Sequence, residues 1–256
     1  MRFSLIVASA VGAVIFATSA CFAADRAGAE AAVARGHAAR NLHHDREGLR
    51  CFRLAMQLDP TWWEPYFRAG NTLLTLDNEV GAIKMIDQGV KLDPNHGELY
   101  FTRARAYFDL GQRAKAEADF NQAIQLTPND PNFFIKRGDF YFAQSDFNKA
   151  LKDYTRTIEF STPAKNASES DKAQTEPLLA RAYKDRGNVL MKLAKYNEAV
   201  ADYTSALENK HLEFPRERIL ADRAQCYDKL GKHQLAEADR KTASVSSGGI
   251  LHDMFR

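Results

Sequence analysis

Cysteine is scarce: Cys21, Cys51 and Cys226 are all that 256 residues contain. A disulfide framework is therefore excluded, and side-chain packing must stabilise the fold. An excess of one charge is also lacking. Lys and Arg number 35 against 33 Asp and Glu, and they are interspersed, which argues against a nucleic-acid-binding stripe. There is no Gly-rich phosphate loop, no metal-spaced His/Cys set and no nucleophile motif. His37 with His43-His44-Asp45 is the nearest approach to a metal cluster. Adjacent histidines diverge on a helix, so the cluster reads as a solvated turn. The carboxylates follow a periodic pattern rather than pairing as an acid and a base. No cofactor, metal or catalytic residue is expected. After residue 23 no apolar run is long enough to span a bilayer.

What is present begins with a leader. Arg2 gives a positive start, Leu5 to Ala17 carry no charge, and Cys21-Phe22-Ala23 is a small-x-small site. Residues 1–23 thus predict a secretory signal peptide, cleaved after Ala23 or Ala24. Two other readings stay open: a retained anchor helix, and acylation of Cys21 after Thr18-Ser19-Ala20. The expected location is exported, periplasmic or secreted, with membrane attachment if Cys21 is acylated.

The rest of the chain repeats. From Gly97 to Asp130 the text GELYFTRARAYFDLGQRAKAEADFNQAIQLTPND sets a register that recurs from Trp63 and from Pro131. With Gly97 as position 1, Tyr100, Ala104 and Tyr107 stand at 4, 8 and 11, one face of a first helix. Ala116, Phe120 and Ala123 at 20, 24 and 27 form one face of a second. Gly111 ends the first helix and Pro128 the second. No unit buries its apolar faces alone, whereas stacked units do. Repeats one to four occupy 29–164, beginning at Ala29, Trp63, Gly97 and Pro131. A polar stretch, Lys165 to Leu179, reads as an inserted loop, with Pro177 in the first turn of the helix that follows. Repeats five and six occupy 180–250, and 251–256 form an apolar tail that folds back over the last helix or seeks a partner.

This register, with small residues at 8, 20 and 27, an aromatic at 24 and Pro at 32, resembles the tetratricopeptide repeat. The resemblance implies an all-α, right-handed solenoid of antiparallel helix pairs with a concave groove lined by first helices.

Two positions vary together. Position 7 is Arg35, Arg103, Arg137, Arg186 and Arg223, and position 23 is Asp119, Asp153, Asp202 and Asp239. Where the Arg is replaced by Ala69, the Asp is replaced by Met85. The covariation predicts partly buried ion pairs within repeats, Arg103–Asp119, Arg137–Asp153, Arg186–Asp202 and Arg223–Asp239, with an apolar substitute in the second repeat. In the first repeat Arg35 faces Cys51. A thiol beside a guanidinium is a candidate reactive cysteine; a small buried apolar side chain is the other reading.

The resemblance places positions 2, 5, 9 and 12 in the groove, the last three being Phe67, Asn71 and Leu74; Phe101, Arg105 and Phe108; Ile135, Asp139 and Phe142. Two apolar rows around a polar one suit an extended or helical peptide. In the fifth repeat the groove turns basic, with Arg181, Lys184, Asn188 and Lys192, joined by Arg218 of the sixth. Lys184 and Asn188 are similar to the first half of the family's carboxylate clamp, but Asp222 departs from it. The expectation is a non-catalytic scaffold or adaptor that binds protein or peptide in a periplasmic or envelope assembly, without nucleic acid. A receptor for a small apolar or amphipathic ligand, a lipid-anchored scaffold and self-association are the alternatives.

Overall fold

The computed structural model describes residues 26–164, 168–209, 212 and 214–253. The expected leader, Cys21 and residues 254–256 of the tail lie outside them. Twelve helices and no strand occur among the described residues. They are α1 (26–41), α2 (Asp45–Leu58), α3 (Trp63–Thr75), α4 (Glu79–Leu92), α5 (Gly97–Asp109) and α6 (Arg113–Leu126) in a first compact unit. A second unit, beginning at Asn129, holds α7 (Pro131–Ala143), α8 (Phe147–Ser161), α9 (Glu169–Lys192), α10 (Tyr196–Glu208), α11 (Arg216–Lys229) and α12 (His233–Asp253). Each unit is a stack of helix pairs, and the fold class is an all-α solenoid.

The pairs form because one residue reverses the chain. His43, Asp77, Gly111, Ser145, Ala194 and Gly231 all have positive φ, between 53° and 70°, and each stands at position 15 of its repeat. The amide of Gly111 donates to the Phe108 carbonyl at 2.9 Å and that of Gln112 to Tyr107 at 2.8 Å, the double bond that closes a helix through a left-handed residue. The left-handed conformation costs an L-residue roughly 1–2 kcal/mol. A Cβ added to Gly111 meets nothing within 4 Å, so backbone strain alone is at issue. Gly111→Ala should lower stability by about 1 kcal/mol and Ala194→Gly should raise it by a similar amount, read from urea unfolding midpoints.

Each core is built from small residues against large ones. Ala82, Ala116, Ala150, Ala199 and Ala236, at position 20, are fully buried. Position 24 fills the space between helices, and Phe52, Phe120 and Tyr203 there are 1% exposed or less. Its partner at position 8 must be small. A Cβ on Gly187 would sit 2.8 Å from the Tyr203 ring, and one on Gly138 2.7 Å from Tyr154.

The Arg–Asp pairs are bidentate. Arg103 Nε and Nη2 donate to Asp119 at 2.7 and 2.9 Å, Arg137 to Asp153 at 2.8 and 2.7 Å, Arg186 to Asp202 at 2.7 Å twice, and Arg223 to Asp239 at 2.8 and 2.7 Å. The remaining nitrogen does more than the sequence reading allowed. Nη1 of Arg103, Arg186 and Arg223 donates to Asp87, Thr155 and Thr204, at 2.7, 3.3 and 2.9 Å. Those acceptors all stand at position 25 of the preceding repeat, so each guanidinium joins two repeats. In the second repeat Ala69 is buried in a cluster with Phe52 and Leu73, and Met85 packs against it. Arg35 is exposed and makes no ion pair among the described residues. Cys51 is half-buried and free.

Two boundaries differ from expectation. The stretch expected as a loop over 165–179 is helical from Glu169 onward, and Pro177 lies inside α9 rather than in its first turn. Glu, Lys, Ala and Gln favour helix, and a stretch that is polar all round can be helical where it faces water. Lys172 pairs with Glu169 at 2.7 Å. The Glu176 carbonyl, beside the proline, accepts from the Asn209 amide at 2.8 Å. At the other end, α12 runs on to Asp253, so residues 251–253 of the expected tail extend the last helix instead of folding back over it.

Candidate functional site

The first helices of the second unit carry polar side chains to which two buried tyrosines donate. Tyr154 and Tyr203 occupy position 24, where the first unit has Phe52, Ile86 and Phe120. Each hydroxyl crosses to position 9 of its own first helix. Tyr154 donates to Asp139 Oδ1 at 3.0 Å and Tyr203 to Asn188 Oδ1 at 2.8 Å. Burial and the carboxylates around them push both phenols far above their usual range. They are therefore permanent donors rather than acid–base groups.

Asp139 is the hub. Its Oδ2 accepts from Arg181 Nη2 at 2.6 Å, and Lys136 lies 3.7 Å away. Burial, with the charge of Asp185, pushes its carboxyl up, while Arg181, Lys136 and Tyr154 oppose the shift. Arg181 Nε donates onward to Asp185 at 3.3 Å, and Lys184 Nζ donates to the other Asp185 oxygen at 2.6 Å. The Lys184 ammonium also lies 5.2 Å from the Phe214 ring centre, a cation–π distance. Asp222 follows on α11. Burial raises its carboxyl, opposed by Arg218 and Lys184.

The expected basic end is thus corrected to a mixed-charge network, because Arg181 and Lys184 are held by Asp139 and Asp185. Arg218 and Lys192 are exposed. Asn188 is half-buried with its oxygen occupied by Tyr203, which leaves its two amide N–H groups as donors. Asp185 and the two tyrosines were missed by sequence reasoning. The signal was present: Tyr at position 24 coincides with an acceptor at position 9, and Phe there with His37 or Arg105.

The expected groove residues divide between the units and fare differently. Phe67 is 7% exposed and packs with Ile86 and Leu99, and Ile135 is 1% exposed. Both are core residues, a correction to the groove assignment. An apolar side chain at position 5 is drawn inward, onto position 24 and, for Phe67, onto the next repeat. Phe101 is half-buried, edge-on to Phe120 at 6.0 Å between ring centres. Asn71 accepts a long 3.5 Å bond from Thr102, Leu74 packs against the Phe52 cluster, and Arg105 and Phe108 are half-buried. Phe142 is half-buried, 5.7 Å from Phe147.

Family models for the tetratricopeptide repeat match residues 97–130 and 184–241. A comparison with curated proteins finds no match. Among solved structures, PilF of Pseudomonas aeruginosa is similar with a TM-score of 0.68 and 12% identity, over 84% of this chain and 90% of that one. PilW, a type IV pilus biogenesis factor, is similar with a TM-score of 0.68 and 14% identity, over 85% and 92%. MamA is similar with a TM-score of 0.55 and 22% identity, over 68% and 92%. At these identities the likeness is one of fold. With two matches to the family's models and helix pairs in one register on either side of them, this chain is a tetratricopeptide-repeat protein.

Proposed function

We propose that this chain is an exported, non-catalytic scaffold that holds a protein or peptide segment on the first-helix face of its second unit. The observation that carries the reading is the Asp139–Arg181–Asp185–Lys184 network. Buried Tyr154 pre-organises it at Asp139 and buried Tyr203 fixes Asn188 on α9, so ordering this face on binding costs little. It leaves Asn188, Arg218 and Lys192 to meet backbone carbonyls and carboxylates of an extended segment. Half-buried Phe142 offers an apolar anchor on α7. The leader-like residues 1–23 support export, and the likeness in fold to a pilus biogenesis factor supports work within an envelope assembly. Partner choice resides in this face rather than in the repeat, which is a scaffold for many grafted sites.

The test is capture from an exported fraction by the chain lacking residues 1–23, beside an Asn188→Leu/Arg218→Glu variant of unchanged circular dichroism. A partner held by the first should be weakened at least tenfold on the second. Equal capture by both would remove this face from the interaction. Capture of a small amphipathic molecule in place of protein would favour a ligand receptor.

A further inference from the structure

The second helices of the first unit carry a different surface. Arg46, Arg50 and Arg53 follow one another at i, i+4 and i+7 on α2, a single exposed arc. Lys84 and Lys91 continue it on α4. Lys84 stands at position 22, as Arg50 does. All five are exposed and make no ion pair among the described residues. The acids beside them are engaged: Asp45 lies 3.4 Å from Arg40, Glu47 3.6 Å from His44, and Asp87 2.7 Å from Arg103. Exposed apolar side chains are interspersed, with Leu54 at 38%, Val80 at 56% and Leu92 at 40% exposure. The same repeat positions elsewhere hold at most one basic residue per helix, Lys152 on α8 and Lys241 on α12. Positions 18, 22, 25 and 29 read Ala114, Ala118, Asn121 and Gln125 on α6, and Asn197, Ala201, Thr204 and Glu208 on α10.

We propose that this face of α2 and α4 docks on a bilayer bearing anionic phospholipid headgroups. Guanidinium groups pair with phosphate in two-pronged fashion, and apolar side chains set among them suit the headgroup–acyl boundary better than they suit nucleic acid. Basic side chains at an anionic surface each add a modest increment, about 1 kcal/mol. The surface therefore orients an attached or partner-bound chain and binds weakly when alone.

The test is flotation of the chain lacking residues 1–23, which keeps every described helix, with phosphatidylcholine vesicles of increasing phosphatidylglycerol content at low ionic strength. Binding should rise with phosphatidylglycerol and fall with salt. Arg46→Gln/Arg50→Gln/Arg53→Gln should weaken partitioning on the order of 100-fold, and Lys152→Gln on α8 should not change it. Equal binding to neutral vesicles, retention by the triple variant, or no binding at any phosphatidylglycerol content would overturn the proposal. Displacement by free glycerol phosphate at matched phosphate would assign the face to a soluble phosphate instead, and tighter binding of polyglutamate would assign it to an acidic protein. Either result also overturns it.

Discussion

Asp153→Ala should destabilise the protein by about 3–5 kcal/mol, the cost of leaving a buried charge without its partner. The Asp153 side chain is 5% exposed and that of Arg137 17%. Burial pushes the Asp153 carboxyl up, and only the Arg137 pairing holds it down, so the two groups depend on one another. The chain contains its own control. At the same two positions the second repeat has Ala69 and Met85, which pack in an apolar cluster without charge. Arg137→Ala/Asp153→Met should therefore recover most of the loss, since replacing both partners avoids the unpaired charge. Urea midpoints for both single variants and the double give the coupling energy. A double variant as unstable as the sum of the singles would show that the pair is not the reason for the loss. A partner that binds the double variant normally would confirm that these arginines serve the fold and do not serve as ligand contacts.

Tyr203→Ala should cost a similar amount, about 3–5 kcal/mol, because it empties a large, fully buried site that Gly187 and Ala199 cannot collapse to fill. Tyr203→Phe separates the ring from its hydroxyl. Phe52 and Phe120 occupy the equivalent place without one, so the ring is tolerated and the expected loss is about 1 kcal/mol, that of one hydrogen bond. The two variants should part in function as well. With the hydroxyl gone, Asn188 loses the bond that fixes its amide, and partner binding on the first-helix face should weaken while the fold persists. If Tyr203→Phe leaves both stability and capture unchanged, the tyrosine is core packing alone and Asn188 is not pre-organised.

Much of the fold was legible because its causes are local. Helix pairs follow from apolar spacing within 34 residues, and every turn falls at position 15 even where His43, Asp77, Ser145 and Ala194 replace glycine. The Arg–Asp pairs were legible for another reason: both partners belong to one repeat and their joint loss at Ala69 and Met85 exposed the dependence. The site was less legible. Arg181 and Lys184 look like free cations in sequence, and Asp139 looks like one polar groove residue among others. The Arg181–Asp139 pair crosses 42 residues, from α7 to α9, and no periodic pattern marks it. Polarity over 165–179 misled in the same way, since exposure to water is compatible with helix as well as loop.

By itself, the sequence determined the all-α repeat architecture, the register of each helix pair and the buried ion pairs, because all of these depend on residues within one repeating unit. Only the tertiary structure decided that Phe67 and Ile135 belong to the core, that Arg181 and Lys184 are held by carboxylates, and that the third guanidinium nitrogen reaches the preceding repeat. Apart from the Lys184–Asp185 contact within α9, these outcomes turn on which side chains meet across separate helices, and that proximity is set by how the helices stack.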